Sequence, residues 1–442
     1  MSNILLYSLS GEGLIFADKI RQEGHDLIAF IKEPSCRRLY DGMVFKTTDP
    51  DAMAAQADLI IFDDNGMGEK ADAYREKGYA VWGGGTFVDK LEHDRLYGME
   101  VFREYGIPIP ETWDVHDLAG VKDVLKSEFA RGEKVVIKLD GSDAAGSAFS
   151  FVAKNPEACE EQVEHWINDG ALSEWSGIIQ RFVSGIEVSV EGWWNGEEFS
   201  THNITLEEKK LLAGDLGPSV GCAYNTIVRI DGGSKLFKTQ LEPIIPLLKA
   251  KGYVGPIDTN SIVGEDGTAY ALEWTPRLGY EATPTLAWGN NHGYVNKILH
   301  ILGLGGEFEG FGYKGRIWGA ARVYVPPYPV SLPDPKAERE MYETCRGVPI
   351  LDREKVEEDF WLYDAMKDED GRLVCGGTTG MIGVAFGAGD DPREAAMASY
   401  RVAEKINVPN KGWRALDGWK RHSDALASLR AMRLLKLYPA LP

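Results

Sequence analysis

The sequence predicts a multidomain α/β protein that opens with a doubly wound parallel sheet. Three observations carry this expectation. The first hundred residues alternate strand and helix signals, with strands at residues 3–8, 26–31, 59–62 and 79–82 and helices near 12–23 and 69–77. Such βαβ alternation implies parallel strands whose ends form a ligand crevice. Further along, the pattern changes to strand, turn, strand, which adds antiparallel sheet. At 442 residues the chain is also too long for one core, and about three or four domains are expected.

Composition narrows the function. Lys plus Arg number 48 against 68 Asp plus Glu, a net charge of −20, so no nucleic-acid partner is expected and any phosphate ligand needs a local basic pocket. No apolar run approaches the roughly 18 residues of a membrane span. The start, MSNILLYSLSGEGL, carries no basic leader and reads as a first strand. Five cysteines, Cys36, Cys159, Cys222, Cys345 and Cys375, form no CxxC pattern and suit a reducing cytoplasm.

Taken in order, the turn Ser10-Gly11-Glu12-Gly13 after the first strand lets backbone N–H groups approach an anion, although a plain strand-to-helix turn fits it equally. A helix from about Asp89 is expected to run to the linker 106–110, and Arg95 within it either meets phosphates or is solvated. In KVVIKLDGSDAAGSAFSFV, Lys138 interrupts an apolar strand, where a lysine is costly unless an anion meets it. The small-residue loop 141–147 that follows suits phosphate contact or an exposed hairpin tip. After a helix near 156–168, strands at 178–182 and 186–191 place Glu187, Ser189 and Glu191 on one face.

Residues 214–221 read as an ordered loop, and 236–251 as a helix. Two apolar runs, 256–263 and 269–274, then flank the turn Gly264-Glu265-Asp266-Gly267 as a hairpin. Asp258 lies on one run and Glu273 on the other. Two buried carboxylates side by side are unfavourable without a cation, and oxygen ligands suit a hard ion such as Mg2+. Arg277 close by adds a phosphate-binding charge; a wet hairpin face carrying two acids is the alternative. Residues 282–302 are expected to be mainly helical. The link VPPYPVSLPDP marks a boundary, before strands at 372–374 and 381–385 and a helix at 392–406.

This succession resembles the ATP-grasp ligases, and among them the phosphoribosylamine-glycine ligase family, over nearly the whole chain. The segments carrying the resemblance are WGGGTFVDKLEHDRLYGMEVFREYGIPIPET, KVVIKLDGSDAAGS, IIQRFVSGIEVSVEG, EEKKLLAGDLGPSVGC and CGGTTGMIGVAFGAGDDPREAAMASYRVAEKINVPNKGWRALDG. The resemblance implies an ATP-grasp fold with an N-terminal Rossmann-like domain (1–110), a mobile lid (111–185), a core (186–325) and a C-terminal αβ domain (326–442). It implies ATP with Mg2+ or Mn2+, small-molecule amine and carboxylate substrates, and a monomer or small homo-oligomer. Lys138 would meet the phosphates together with Arg95 and Lys209, Gln180, Phe182 and Val183 would hold adenine, and Glu187 the ribose. Glu273 would ligate metal, with Asp258 and with Thr275 in place of the usual Asn, while Arg277 orients the transferred phosphate. Gly11, Glu12, Gly13, Asp215, Gly217, Pro218 and Tyr280 would line the substrate site.

The departures from the family gather at the acceptor. Where the family reads GGREHA, this chain has Ser10-Gly11-Glu12-Gly13-Leu14-Ile15, and where it reads RFGDPET, Tyr280 replaces Asp. Glu12 in place of a cation repels a phosphate, and Tyr280 suits a larger or less charged amine. The expected chemistry is ADP-forming joining of a carboxylate to an amine through an acyl phosphate. The open alternatives are a paralogue with another amine acceptor and a non-catalytic nucleotide-binding protein.

Overall fold

The computed structural model describes residues 1–139, 150–153, 155, 157, 160–162, 164–165, 177–290, 293–305, 314–332 and 334–437. The loop 141–147, much of the helix expected at 156–168 and Cys159 lie outside the described residues.

The N-terminal sheet contains β1 (Asn3–Ser8), β2 (Asp26–Ile31), β3 (Phe45–Lys46), β4 (Leu59–Phe62) and β5 (Val81–Trp82) in the order β3-β2-β1-β4-β5. All its pairs are parallel. The chain winds outward from β1 to β3 and returns to β4, so the switch point, where a crevice opens at the strand ends, lies between β1 and β4. β3 was not foreseen, because two residues carry no periodicity. The helix expected over 12–23 begins instead as a 3-10 turn, Glu12–Phe16, before the α-helix Ala17–Gln22.

The helix expected from Asp89 is two helices, Thr86–His93 and Arg95–Glu104. Asp94 leaves the helical conformation, and its carboxylate caps the second helix by accepting from Tyr97 N at 2.9 Å. Next come β6 (Thr112–Val115), β7 (Val135–Leu139), β8 (Ser150–Ala153) and β9 (Gly177–Arg181), a separate antiparallel sheet in the order β6-β9-β7-β8.

The largest sheet is built from β10 (Gly185–Trp194), β11 (Phe199–Leu212), β12 (Leu216–Arg229), β13 (Gly255–Gly264), β14 (Ala269–Trp274), β15 (Ile317–Tyr324), β16 (Phe360–Leu362) and, after the small ribbon of β17 (Ala365–Lys367) and β18 (Leu373–Cys375), β19 (Met381–Gly389). Its order is β14-β13-β10-β11-β12-β15-β19-β16. The segment 214–221, expected as a loop, is mostly the start of β12, paired with β11 at Lys210↔Ser219 and Leu212↔Leu216. The helix expected over 236–251 is interrupted at Pro243 and Pro246, giving Lys235–Gln240, a 3-10 turn Glu242–Ile244 and Ile245–Ala250. That expected over 282–302 is likewise two helices, Ala282–Gly289 and Val295–Ile301. Beyond residue 326, β16 and β19 extend this same sheet, with β19 lying along β15 from Ile317↔Gly389 to Tyr324↔Met381.

One hydrophobic core joins the parallel sheet to the large one. Leu14 and Phe16 pack there with Trp318, Phe360 and Val384, and the Phe16 ring stacks on Tyr294 at 3.9 Å. A second core lies under the opposite end of the large sheet, where Val188, Val190, Ile257 and Ala271 meet Phe102 and Trp274.

The last helix, Gly418–Ala431, is fastened by charge. Glu208 is 0% exposed and faces Arg414, 1% exposed, at 2.9 Å, with Arg421 bonded to the same carboxylate and His422 at 3.2 Å. Arg414 also donates to the carbonyls of Lys210 and Leu212 at 2.7 and 2.5 Å. Removing one member of such a cluster strands a charge away from water. Arg414→Leu is therefore expected to cost about 3–5 kcal/mol, read by urea unfolding; a loss below about 1 kcal/mol would show that Glu208 needs no buried partner.

Candidate active site

The alternation of β10, β11 and β13 divides the large sheet into an apolar face and a polar one. Val188, Val190 and Ile257 enter the core, while Glu187, Ser189 and Glu191 point the other way. The register fixes their neighbours: Glu191 lies opposite Asp258 and Asn203, and Ser189 opposite Asn260 and Thr205. On β14, Glu273 is paired with Asn260, not with Asp258. The two acids expected to form a pair therefore share a face but stand diagonally, with an amide directly across from Glu273.

Asn260 and Asn203 escaped the sequence reading, although Asn260 falls two residues after Asp258 and the same alternation pointed to it. The polar wall is also incompletely hydrogen-bonded within itself. Asp258 Oδ1, Asn260 Oδ1, Asn203 Oδ1 and both side-chain polar atoms of Asn225 are buried without a partner. Burial, with Glu191 and Glu207 nearby, holds the Asp258 carboxyl well above the usual range, and burial raises Glu207 to about 7.

Cations converge on the same wall. Lys138 is 8% exposed and reaches the Leu272 carbonyl at 3.5 Å. Burial lowers it to about 8, against the opposing pull of Glu273. Lys209 pairs with Glu187 at 2.6 Å; burial pulls its pKa down, but Glu187, Glu273 and Glu207 raise it on balance. Glu273 is lowered despite burial because Lys209, Lys138, Arg95 and Arg277 surround it. Arg95 is brought there by the Asp94 break, and its helix is seated on β14 by Trp274, which stacks on Phe102 and donates to the Gly98 carbonyl at 3.0 Å.

The residues expected around a nucleotide base sit at the end of β9. Gln180 is buried, donates to Thr112 Oγ1 at 3.1 Å and leaves Oε1 unpaired. Phe182 is 39% exposed, but its N–H is taken by the Lys134 carbonyl at 2.8 Å. Val183 borders Gly264 in the β13–β14 turn. Glu187, expected at a ribose, is held by Lys209.

At the β1–β4 switch point the expected anion slot is filled from within. Gly11 N–H donates to Ser8 Oγ at 2.7 Å and Gly13 N–H to Asp63 Oδ2 at 2.7 Å, so these turn amides face the protein's own groups. Glu12 accepts from Ser10. Beside them lie Asp64 and Asn65, from the FDDN that ends β4, and Glu92, from the helix Thr86–His93, none of them foreseen from the sequence. Arg277 joins Glu92 at 3.2 Å and Asp64 at 3.5 Å, and its guanidinium lies 4.5 Å from the centre of the Tyr280 ring. Tyr280 donates to Asp64 at 3.3 Å, and Leu14 is wholly in the core.

Asp215 stands apart from these groups: its ion pairs are with Arg421 and Arg414 of the C-terminal network. Gly217 and Pro218 lie in the exposed start of β12, where Gly217 has a φ of 76°.

The donor set suits a hard divalent cation. Asp258, Glu273 and Asn260 offer oxygens from one face, two of them buried and unpaired, and an oxygen-only set is what Mg2+ or Mn2+ takes. Thr275 hydrogen-bonds the Asp258 carboxyl and so fixes its orientation. The amide missing at Thr275 is offered by Asn260 on the neighbouring strand.

Known proteins resemble this chain in sequence and in fold. Residues 93–280 match the family described as phosphoribosylglycinamide synthetase, ATP-grasp (A) domain. The phosphoribosylamine–glycine ligase of Thermotoga maritima is 25% identical over 367 residues, covering 78% of this chain and 82% of that one. A crystal structure of the phosphoribosylamine–glycine ligase from T. maritima superposes with a TM-score of 0.72 at 21% identity, covering 93% of this chain and 99% of the other. The Campylobacter jejuni biotin carboxylase–β,γ-ATP complex shares the fold more distantly, with a TM-score of 0.63 at 13% identity and 93% of each chain covered. By these comparisons the chain has the fold of the ATP-grasp ligases, and its residues 93–280 are similar to the ATP-grasp domain of the phosphoribosylamine–glycine ligases.

Proposed function

We propose that the protein joins a carboxylate to an amine with cleavage of ATP to ADP, through an acyl phosphate. The observation that supports this reading most is the wall of Asp258, Asn260 and Glu273, with unpaired buried oxygens, facing Lys138, Lys209, Arg95 and Arg277.

A carboxylate is a poor electrophile until its oxygen is phosphorylated, so the site must bring two anions together. Lys138 and Lys209 hold the polyphosphate, and Arg277, fixed by Glu92 and Asp64, meets the phosphoryl group in transfer. Asp258, Glu273 and Asn260 would hold a divalent cation, which would supply the remaining positive charge. Gln180, Phe182 and Val183 border the base, and Glu187 turns from Lys209 to the ribose. Residues 111–185, whose described strands form their own sheet, act as the cover that keeps water from the acyl phosphate. The amine then attacks the carbonyl carbon and phosphate leaves.

Two outcomes test these roles. Glu273→Gln is expected to lower ADP formation by roughly 10²-fold and to weaken Mn2+ binding measured by electron paramagnetic resonance; normal turnover would remove Glu273 from the site. For Lys138, with a pKa of about 8 in the free protein, the cation is present below that value and lost above it. ATP affinity is therefore expected to fall about tenfold between pH 7 and 9, and Lys138→Met to bind weakly with a flatter profile. Calorimetry showing equal affinity for both proteins at pH 7 would return Lys138 to a purely structural position.

A further inference from the structure

The crevice at the β1–β4 switch point holds an excess of hydrogen-bond acceptors. Glu12, Asp63, Asp64 and Glu92 gather there around one guanidinium, Arg277, which Glu92 and Asp64 already engage. Asp63 closes the slot at the Gly13 amide, which in a parallel sheet is where an anionic ligand is received. Burial, with Glu12 close by, raises its carboxyl to about 8. Two other basic residues of this end of the fold are engaged elsewhere, Arg21 with Asp18 and the Met43 carbonyl and Lys90 at 4.2 Å from the Tyr97 ring centre, while Lys32 donates to the Gly66 carbonyl at 3.3 Å.

An independent observation comes from Asn65. It is 2% exposed, its Nδ2 donates to Glu92 at 2.6 Å, and its Oδ1 has no partner. A buried carbonyl oxygen beside carboxylates wants a donor. A phosphate offers only acceptors and adds repulsion; an ammonium group offers three donors and a compensating charge.

We infer that the amine acceptor is a diamine or polyamine without phosphate, its distal ammonium held among Glu12, Asp64 and Asn65. This rests on the ligase reading above and names its second substrate. A single reacting amine would not suffice, because the nitrogen must be neutral when it attacks and the attraction to the carboxylates is then lost. A second ammonium keeps its charge throughout. Arg277 connects the two regions, since its charge acts on Glu273 and Asp258 as well as on Glu12 and Glu92. In the step itself the nitrogen lone pair forms the C–N bond and the C–O bond to phosphate breaks with its electron pair leaving on phosphate. The extra proton on nitrogen passes to a crevice carboxylate and then to water.

The experiment separates the two readings. With ATP, Mg2+, a panel of amino acids including glycine, and hydroxylamine as trap, hydroxamate and ADP report carboxylate activation without any acceptor; their absence would overturn the ligase reading and this inference with it. With activation in hand, 1,4-diaminobutane and spermidine are compared with butylamine and with freshly generated phosphoribosylamine. We expect kcat/KM for the diamine to exceed that for butylamine and for phosphoribosylamine by about 10²-fold, and the diamine-to-butylamine ratio to fall at least about tenfold in Glu12→Gln. Phosphoribosylamine used as well as the diamine, diamine and butylamine used equally, or a ratio unmoved in Glu12→Gln would each overturn the inference.

Discussion

Like charges cannot be taken out of water together unless opposite charges or donors come with them, and this constraint shapes the inner face of the large sheet. Glu187, Glu191, Glu207, Asp258 and Glu273 are set on neighbouring strands by a two-residue period. Each of the groups that answers them comes from a different part of the chain: Lys138 from β7, Lys209 from β11, Arg95 from a capped helix end and Arg277 from the turn after β14. The sheet gives the carboxylates their spacing, and the surrounding elements are arranged to deliver cations to them.

The same rule is met differently in two other places. At the C-terminal end, Glu208 is fully answered by Arg414, Arg421 and His422, and the cluster fastens a helix to the sheet. At the β1–β4 crevice the carboxylates outnumber the guanidinium beside them, and a buried amide oxygen is left over. A closed cluster is what a structural fastening needs.

Much of this was legible in the chain. The strands that alternate or run apolar over several residues, β1, β2, β4 and the β13–β14 hairpin, came out close to their observed limits, because periodicity is a local property. Lys138 announced itself by interrupting an apolar strand. What sequence did not reveal depends on pairing across the fold. The Asn260–Glu273 register, the closure of the Gly13 amide by Asp63 fifty residues away, and the long β11–β12 hairpin in place of a loop are set by neighbours that no local pattern names. Short polar residues such as Asn65, unremarkable on a strand end, become informative only when burial leaves one atom without a partner.

The placement of β19 reaches beyond the site. This strand, near the C-terminus, lies between β15 and β16 and completes a sheet whose polar face begins at β10 almost two hundred residues earlier. Its pairing with β15 closes loops of 57 to 72 residues, from Tyr324↔Met381 to Ile317↔Gly389, and such non-local pairing slows the search for the native state. During synthesis the edge of β15 stays open until β19, more than fifty residues later, has also left the ribosome, exposing unpaired backbone and the apolar side chains meant for β19. The nascent chain would be most vulnerable to self-association in that interval, so mutations that weaken β19 should reduce yield in cells before they change the chemistry of a finished molecule.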